Sequence, residues 1–190
     1  MSCDSINEWH IARAVRALRA AGIVLHATEG VWGLACDPFD EQAVGRLLRL
    51  KNRSVDQGLI VIGASARCFE PELAALGPAD RATIAATWPG AVTWIVPNVR
   101  FPCWITGGRS TVAVRVPGHG QTRALCRAFG GPLVSTSANR SGQPPAINGL
   151  QARCRLAGFP TRQDWVLPGD VVVPGRPSVI RTLAGATLRA

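Results

Sequence analysis

Apolar runs too short for helices, separated by stretches with helical spacing, constrain this chain more than any other feature. Ile23 to Ala27 and Leu59 to Ile62 have the length of buried strands. Between them Asp40 stands at an N-cap position, and Val44, Leu47 and Leu48 repeat at helical spacing up to Lys51. Strand, helix and strand in that order predict a layered α/β domain.

The pattern continues along the chain. Ser5 and Glu8 make a capping box ahead of Ile11, Val15 and Leu18, so a first helix is expected over 6–21, closed by Gly22. Further helices are expected at 70–76, 79–86, 121–129 and 149–156, and strands at 92–96, 111–116, 132–135, 164–167, 170–173 and 178–182. The strands after residue 90 follow one another closely, which predicts some antiparallel pairing and a mixed sheet. Residues 28–33, 52–58 and 136–145 read as loops, the last a functional one, with 139–148 as a candidate lid. No low-complexity linker divides the 190 residues, so 1–190 reads as a single domain.

A net charge of +9 points to an anionic partner, a nucleotide or a nucleic acid. The arginines are spread over the length, which favours a folded basic face over a disordered arm. No apolar run approaches membrane-spanning length and no basic segment precedes an apolar core, so no membrane partner and a cytoplasmic location are expected. The six cysteines form no C-x-x-C pair and only three histidines occur, so no metal-ligating set is expected. His26, in a strand, and His119, in a Pro-Gly-His-Gly turn, read as core and turn residues, and the six tryptophans as packing.

Lys51 is the one lysine beside twenty arginines. A compact ammonium fits a pocket too narrow for a planar guanidinium. Neither G-x-x-x-x-G-K-[ST] nor G-x-G-x-x-G occurs, so phosphate ligands would have to come from elsewhere. Lys51-Asn52-Arg53 at a helix end and Ser135-Thr136-Ser137-Ala138-Asn139 after a strand could together surround a polyphosphate.

Lys51-x-Arg53 and Ser137-x-Asn139 occur with Thr28-Glu29, Pro89-Gly90-Ala91-Val92-Thr93, Ala113-Val114-Arg115-Val116-Pro117 and the run Leu133 to Gly142. As a set, over residues 10–182, they resemble the YrdC/TsaC family, the threonylcarbamoyl-adenylate synthases. The resemblance implies a twisted mixed α/β sheet flanked by helices around a basic concave cavity. It also implies an enzyme that joins L-threonine, bicarbonate and ATP, the last with Mg2+, into threonylcarbamoyl-AMP and pyrophosphate. A tRNA-modifying threonylcarbamoyl transferase complex would receive the product.

Carried onto this chain, the resemblance assigns Thr28, Arg115 and Ser135 to threonine. It assigns Lys51, Arg53, Ser137, Asn139, Ser141, Arg176 and Ser178 to ATP, with Lys51 and Arg53 as the catalytic pair. Glu29 reads as a loop acceptor rather than a general base. Ala27 and Ser54 stand where proline is usual, and Ile62 lies near a histidine of some longer relatives. Two rival readings are a non-catalytic module that binds double-stranded RNA and a carbamoyl-transfer domain like that of hydrogenase maturation proteins. The latter's acylphosphatase and zinc-finger neighbours are missing.

Overall fold

A computed structural model describes residues 3–156 and 158–189. The helices are α1 (Cys3–Arg19), α2 (Glu41–Lys51), α3 (Glu70–Leu73), α4 (Pro78–Ala85), α5 (Cys103–Thr106), α6 (Gly120–Phe129) and α7 (Gly149–Cys154). The strands are β1 (Val24–Ala27), β2 (Trp32–Cys36), β3 (Ile60–Ile62), β4 (Val92–Pro97), β5 (Thr111–Arg115), β6 (Leu133–Ser137), β7 (Trp165–Val166), β8 (Val179–Thr182) and β9 (Thr187–Arg189). They form one sheet in the order β7-β1-β2-β6-β3-β5-β4-β8-β9. The sheet is mixed, as expected: β3 runs parallel to β5 and β4 to β8, while β1/β2, β2/β6, β3/β6 and β4/β5 are antiparallel.

Alternation along the strands sorts side chains onto two faces. Val24, Ala35, Ile62 and Leu133 face Ala14 and Leu18 of α1 and Leu125 of α6. Leu25, Leu34, Val61, Val114 and Val134 belong to the larger core, with Val44 and Leu47 of α2. Asp40 caps α2 through the Ala43 amide, as its position predicts, and Asn52 ends it in the left-handed conformation.

Several expectations are corrected. The first helix starts at Cys3, so Ser5 and Glu8 lie inside it, and it ends at Arg19. The left-handed residue beyond it is Ala21 (φ 57), not Gly22. Gly22 is required by close approach instead: a Cβ there would stand 2.2 Å from the Gln163 carbonyl oxygen. The expected loop at 28–33 is shorter, because Trp32 and Gly33 begin β2, a strand whose small residues Gly33 and Ala35 hide its pattern. β6 likewise runs on to Ser137, into the segment read as irregular. Residues 170–173 form no strand; Val172 and Val173 donate their amides to the Glu29 carbonyl at 2.9 and 2.7 Å.

Candidate functional site

Beyond the reach of α1 and α6, the face that carries Ile60 and Ile62 opens into a cavity of about 540 Å3. Register explains its lining. Ile60 lies between Ala113 and Ser135, and Ile62 is paired with Arg115, so these side chains share one face. Of the ten residues expected at a site, Thr28, Arg53, Arg115, Ser135, Ser137, Arg176 and Ser178 line this cavity. Arg109 adds a fourth guanidinium, and no carboxylate is among the lining residues described. The interior is therefore built for anions.

Lys51, Asn139 and Ser141 lie outside that lining. Lys51 is 2% exposed, and its Nζ donates to the carbonyls of Ser137 and, at 2.8 Å, Asn139. Its own carbonyl accepts the Ser141 amide at 2.8 Å. The lysine thus clamps the turn that follows β6. Burial, and secondarily the nearby Arg53, lowers its ammonium from 10.5 to about 8, so it remains charged at neutral pH. Asn139 donates through Nδ2 to the carbonyls of Arg140 (2.9 Å) and Gln143 (2.6 Å), fixing the same turn. Ser141 is exposed.

Arg53 donates to the Gly58 carbonyl at 2.9 Å, and burial lowers its affinity for its proton. Arg115 is held from two sides: Nε donates to the Gly90 carbonyl at 2.8 Å and Nη2 pairs with Glu29 Oε2 at 2.5 Å. Glu29 Oε1 also accepts the Gly118 amide. Glu29 therefore acts as the loop acceptor that its position suggests, joining the β1–β2 loop to the end of β5. Thr28 Oγ1 donates to the Val31 carbonyl at 2.7 Å and closes that loop. Ser178 shares a hydrogen bond of 3.0 Å with Thr93.

Two features escaped the sequence reading. Arg109 follows Gly107 and Gly108, both with positive φ (64 and 77), a pair that could have signalled a shaped turn before β5. The second is the seam between Gly30 and the segment before β8: the Gly175 amide donates to the Gly30 carbonyl at 2.8 Å, and a Cβ on Gly30 would stand 1.9 Å from the Arg176 carbonyl oxygen. This close approach brings Arg176 to the cavity wall. His119 caps α6 by accepting the Thr122 amide, as a turn residue should. Burial pushes the Cys126 thiol up to about 12 and that of Cys36 well above its usual value, which leaves both unreactive. Among the described residues no group of three potential metal ligands converges, and no helix is long and apolar enough to cross a membrane.

The profile of the family Sua5_yciO_yrdC, described as telomere recombination, matches residues 16–190. The threonylcarbamoyl-AMP synthase of Alkalilimnicola ehrlichii is 44% identical over 192 residues, spanning 100% of both chains. That of Halorhodospira halophila is 48% identical over 184 residues, covering 95% of this chain and 94% of its own. In three dimensions the chain resembles P. abyssi Sua5 complexed with L-threonine, with a TM-score of 0.85, 30% identity and 93% of this chain covered. It spans about half of that longer protein, 52% of its length. E. coli YciO shares the fold with a TM-score of 0.80 at 20% identity, covering 96% of this chain and 89% of its own.

Proposed function

The chain belongs to the Sua5/YciO/YrdC family, and we propose that its cavity condenses L-threonine, bicarbonate and ATP into threonylcarbamoyl-AMP and pyrophosphate. The observation that carries this reading is one cavity lined by Ser135 and Ser137 together with Arg53, Arg115 and Arg176. Hydroxyls recognise oxygens without adding charge, and guanidiniums supply the charge that a carboxylate and a triphosphate require. The cavity volume suits small-molecule substrates. The net charge of +9 alone would suit RNA as well, and only that charge supports the RNA-binding alternative.

In the proposed reaction the neutral amine of threonine forms a C–N bond to CO2 derived from bicarbonate, and the proton passes to water. The carbamate oxygen then attacks the α-phosphorus of ATP, and the bond to the β-phosphate breaks to release pyrophosphate. Magnesium enters with ATP as part of the substrate. The reaction makes the protein a nucleotidyltransferase without a covalent enzyme intermediate, so its contribution is position and charge neutralisation.

Arg115, held by Glu29 and Gly90, is the proposed grip for the threonine carboxylate, with Thr28 and Ser135 beside it. Arg53, Ser137, Arg176 and Ser178 would take the ATP phosphates and nucleoside. Lys51 and Asn139 would act from behind the wall by holding the turn after β6, and Ser141 would anchor that turn through its amide. The product would pass in the cytoplasm to a tRNA-modifying transferase complex. The test is pyrophosphate release from MgATP by the purified chain, with threonine and bicarbonate omitted in turn. Release that requires both supports the reading, and release indifferent to threonine overturns it.

A further inference from the structure

His26 sits on the same face of β1 as Val24, fully buried against α6. Its Nδ1 lies 3.0 Å from the Ala27 carbonyl, an oxygen that can only accept, so Nδ1 carries the ring proton. Nε2 is then a lone-pair acceptor, and among the described residues it has no hydrogen-bond partner. The ring cannot easily turn away. Thr122 Oγ1 stands 3.4 Å from Nδ1 and donates to the Ala27 carbonyl at 2.8 Å, and His119, tied to the Asp170 carbonyl at 3.1 Å, braces Thr122 from behind. Burial keeps the imidazole neutral, with a pKa of about 4.

The orphan nitrogen faces a gap left by a glycine. Gly33 pairs with His26 in the β1–β2 register, and a Cβ on it would stand 3.3 Å from His26 Nε2, 3.3 Å from the Thr136 carbonyl and 3.5 Å from Ser135 Oγ. Of these three neighbours only the serine hydroxyl can donate. Ser135 Oγ makes no hydrogen bond among the described residues, and Ser135 lines the cavity.

We propose that His26 is a positioning residue that acts through Ser135: the two are not hydrogen-bonded as they stand, and a turn of the serine side chain toward the gap at Gly33 lets Nε2 accept its hydroxyl proton and leaves the oxygen lone pairs for the cavity. A hydroxyl whose proton is engaged can only accept toward a substrate. That suits an amine N–H and no carboxylate oxygen, so Ser135 would orient the threonine nitrogen while Arg115 grips the carboxyl end. This step rests on the threonine reading of the cavity, and the gap itself does not.

The test has two arms. With the full chain, His26→Phe should raise the threonine KM about tenfold and leave the ATP KM unchanged, the effect of one lost hydrogen bond. His26→Gln, whose amide oxygen replaces Nε2, should restore most of it. Ser135→Ala should show the same loss, and the double variant His26→Phe/Ser135→Ala should be no worse than Ser135→Ala. Multiplying effects, or equal changes in the threonine and ATP KM, would overturn the proposal. The second arm needs no activity: the nitrogen-15 resonance of His26 Nε2, recorded without substrate, should move in Ser135→Ala. An unmoved resonance overturns the pairing whatever the protein catalyses. A wild-type chain that releases no pyrophosphate, with a resonance that moves, overturns only the threonine reading.

Discussion

Lys51 and Asn139 lie 88 positions apart in sequence and meet at a hydrogen bond of 2.8 Å from the ammonium to the asparagine carbonyl. With the second bond to the Ser137 carbonyl, this ties the end of α2 to the turn after β6. The solitary lysine is explained by its site: a buried position where the side chain ends between two carbonyls takes a point charge and disfavours a planar fork. Lys51→Met should lower the unfolding free energy by about 1–3 kcal/mol, since it leaves the Asn139 carbonyl unmet and the Ser137 carbonyl with the Asn139 amide alone. Lys51→Arg should also destabilise, by about 1–3 kcal/mol from overpacking. Urea denaturation measures both, and an arginine variant as stable as the parent would refute the steric account.

Glu29 links three segments through Arg115, Gly118 and the amides of Val172 and Val173. Its side chain orients the guanidinium proposed to hold threonine. Glu29→Gln should raise the threonine KM about tenfold and Arg115→Ala about a hundredfold, reflecting partial and complete loss of a charge-assisted contact. The ATP KM should stay near its parent value in both, as initial-rate kinetics with each substrate varied will tell.

Gly30 leaves no room for a side chain. Gly30→Ala must push the Arg176 carbonyl away from its present 1.9 Å approach to the new Cβ, at a cost of about 1–3 kcal/mol. The ATP KM should rise as Arg176 leaves the wall. Gly120→Ala is the matched control, since nothing lies within 4 Å of its Cβ position and it opens a helix. That change should be neutral or stabilise by up to about 1 kcal/mol. Thermal denaturation distinguishes the two.

His26 gives the fold an acid-sensitive element. Its pKa is lowered from 6.5 to about 4 by burial, so below pH 6.5 the unfolded chain takes up a proton that the folded chain refuses. Stability should therefore fall as pH drops from about 6.5 to about 4, by about 3 kcal/mol at roughly 1.4 kcal/mol per pKa unit. His26→Phe should lack this component. Between pH 7 and pH 4 the unfolding free energy of the parent should fall by that amount relative to His26→Phe; parallel curves would mean that the ring is not held neutral.

The parts of the fold legible in the sequence were those whose chemistry is local. Asp40 and the helical spacing of Val44 and Leu47 set α2, and the apolar run Ile23 to Ala27 set the first strand. β2 was missed because Gly33 and Ala35 are small for a reason that only the tertiary structure reveals: Gly33 leaves the gap between His26 and Ser135. The strand expected at 170–173 failed for the converse reason, since apolar Val172 and Val173 are largely exposed and spend their amides on one carbonyl. At the site, residue types and order led to Arg53, Ser135 and Ser137, and the family resemblance to Arg115, Arg176 and Ser178, all of which line the cavity. The division between Arg53, on the wall, and Lys51, behind it, depends on which way two side chains two positions apart leave a helix end, and spacing does not fix that.

The proposed cavity chemistry joins threonine, bicarbonate and the AMP moiety of ATP. The most direct test incubates the purified chain with MgATP, L-threonine and carbon-14 bicarbonate, then separates the nucleotides at once by chromatography. A labelled adenylate should form that also incorporates tritium from labelled threonine in equal amount, together with pyrophosphate, and it should be absent when threonine is left out. Pyrophosphate or ADP without a labelled adenylate, or an adenylate that carries only one of the two labels, would contradict that chemistry.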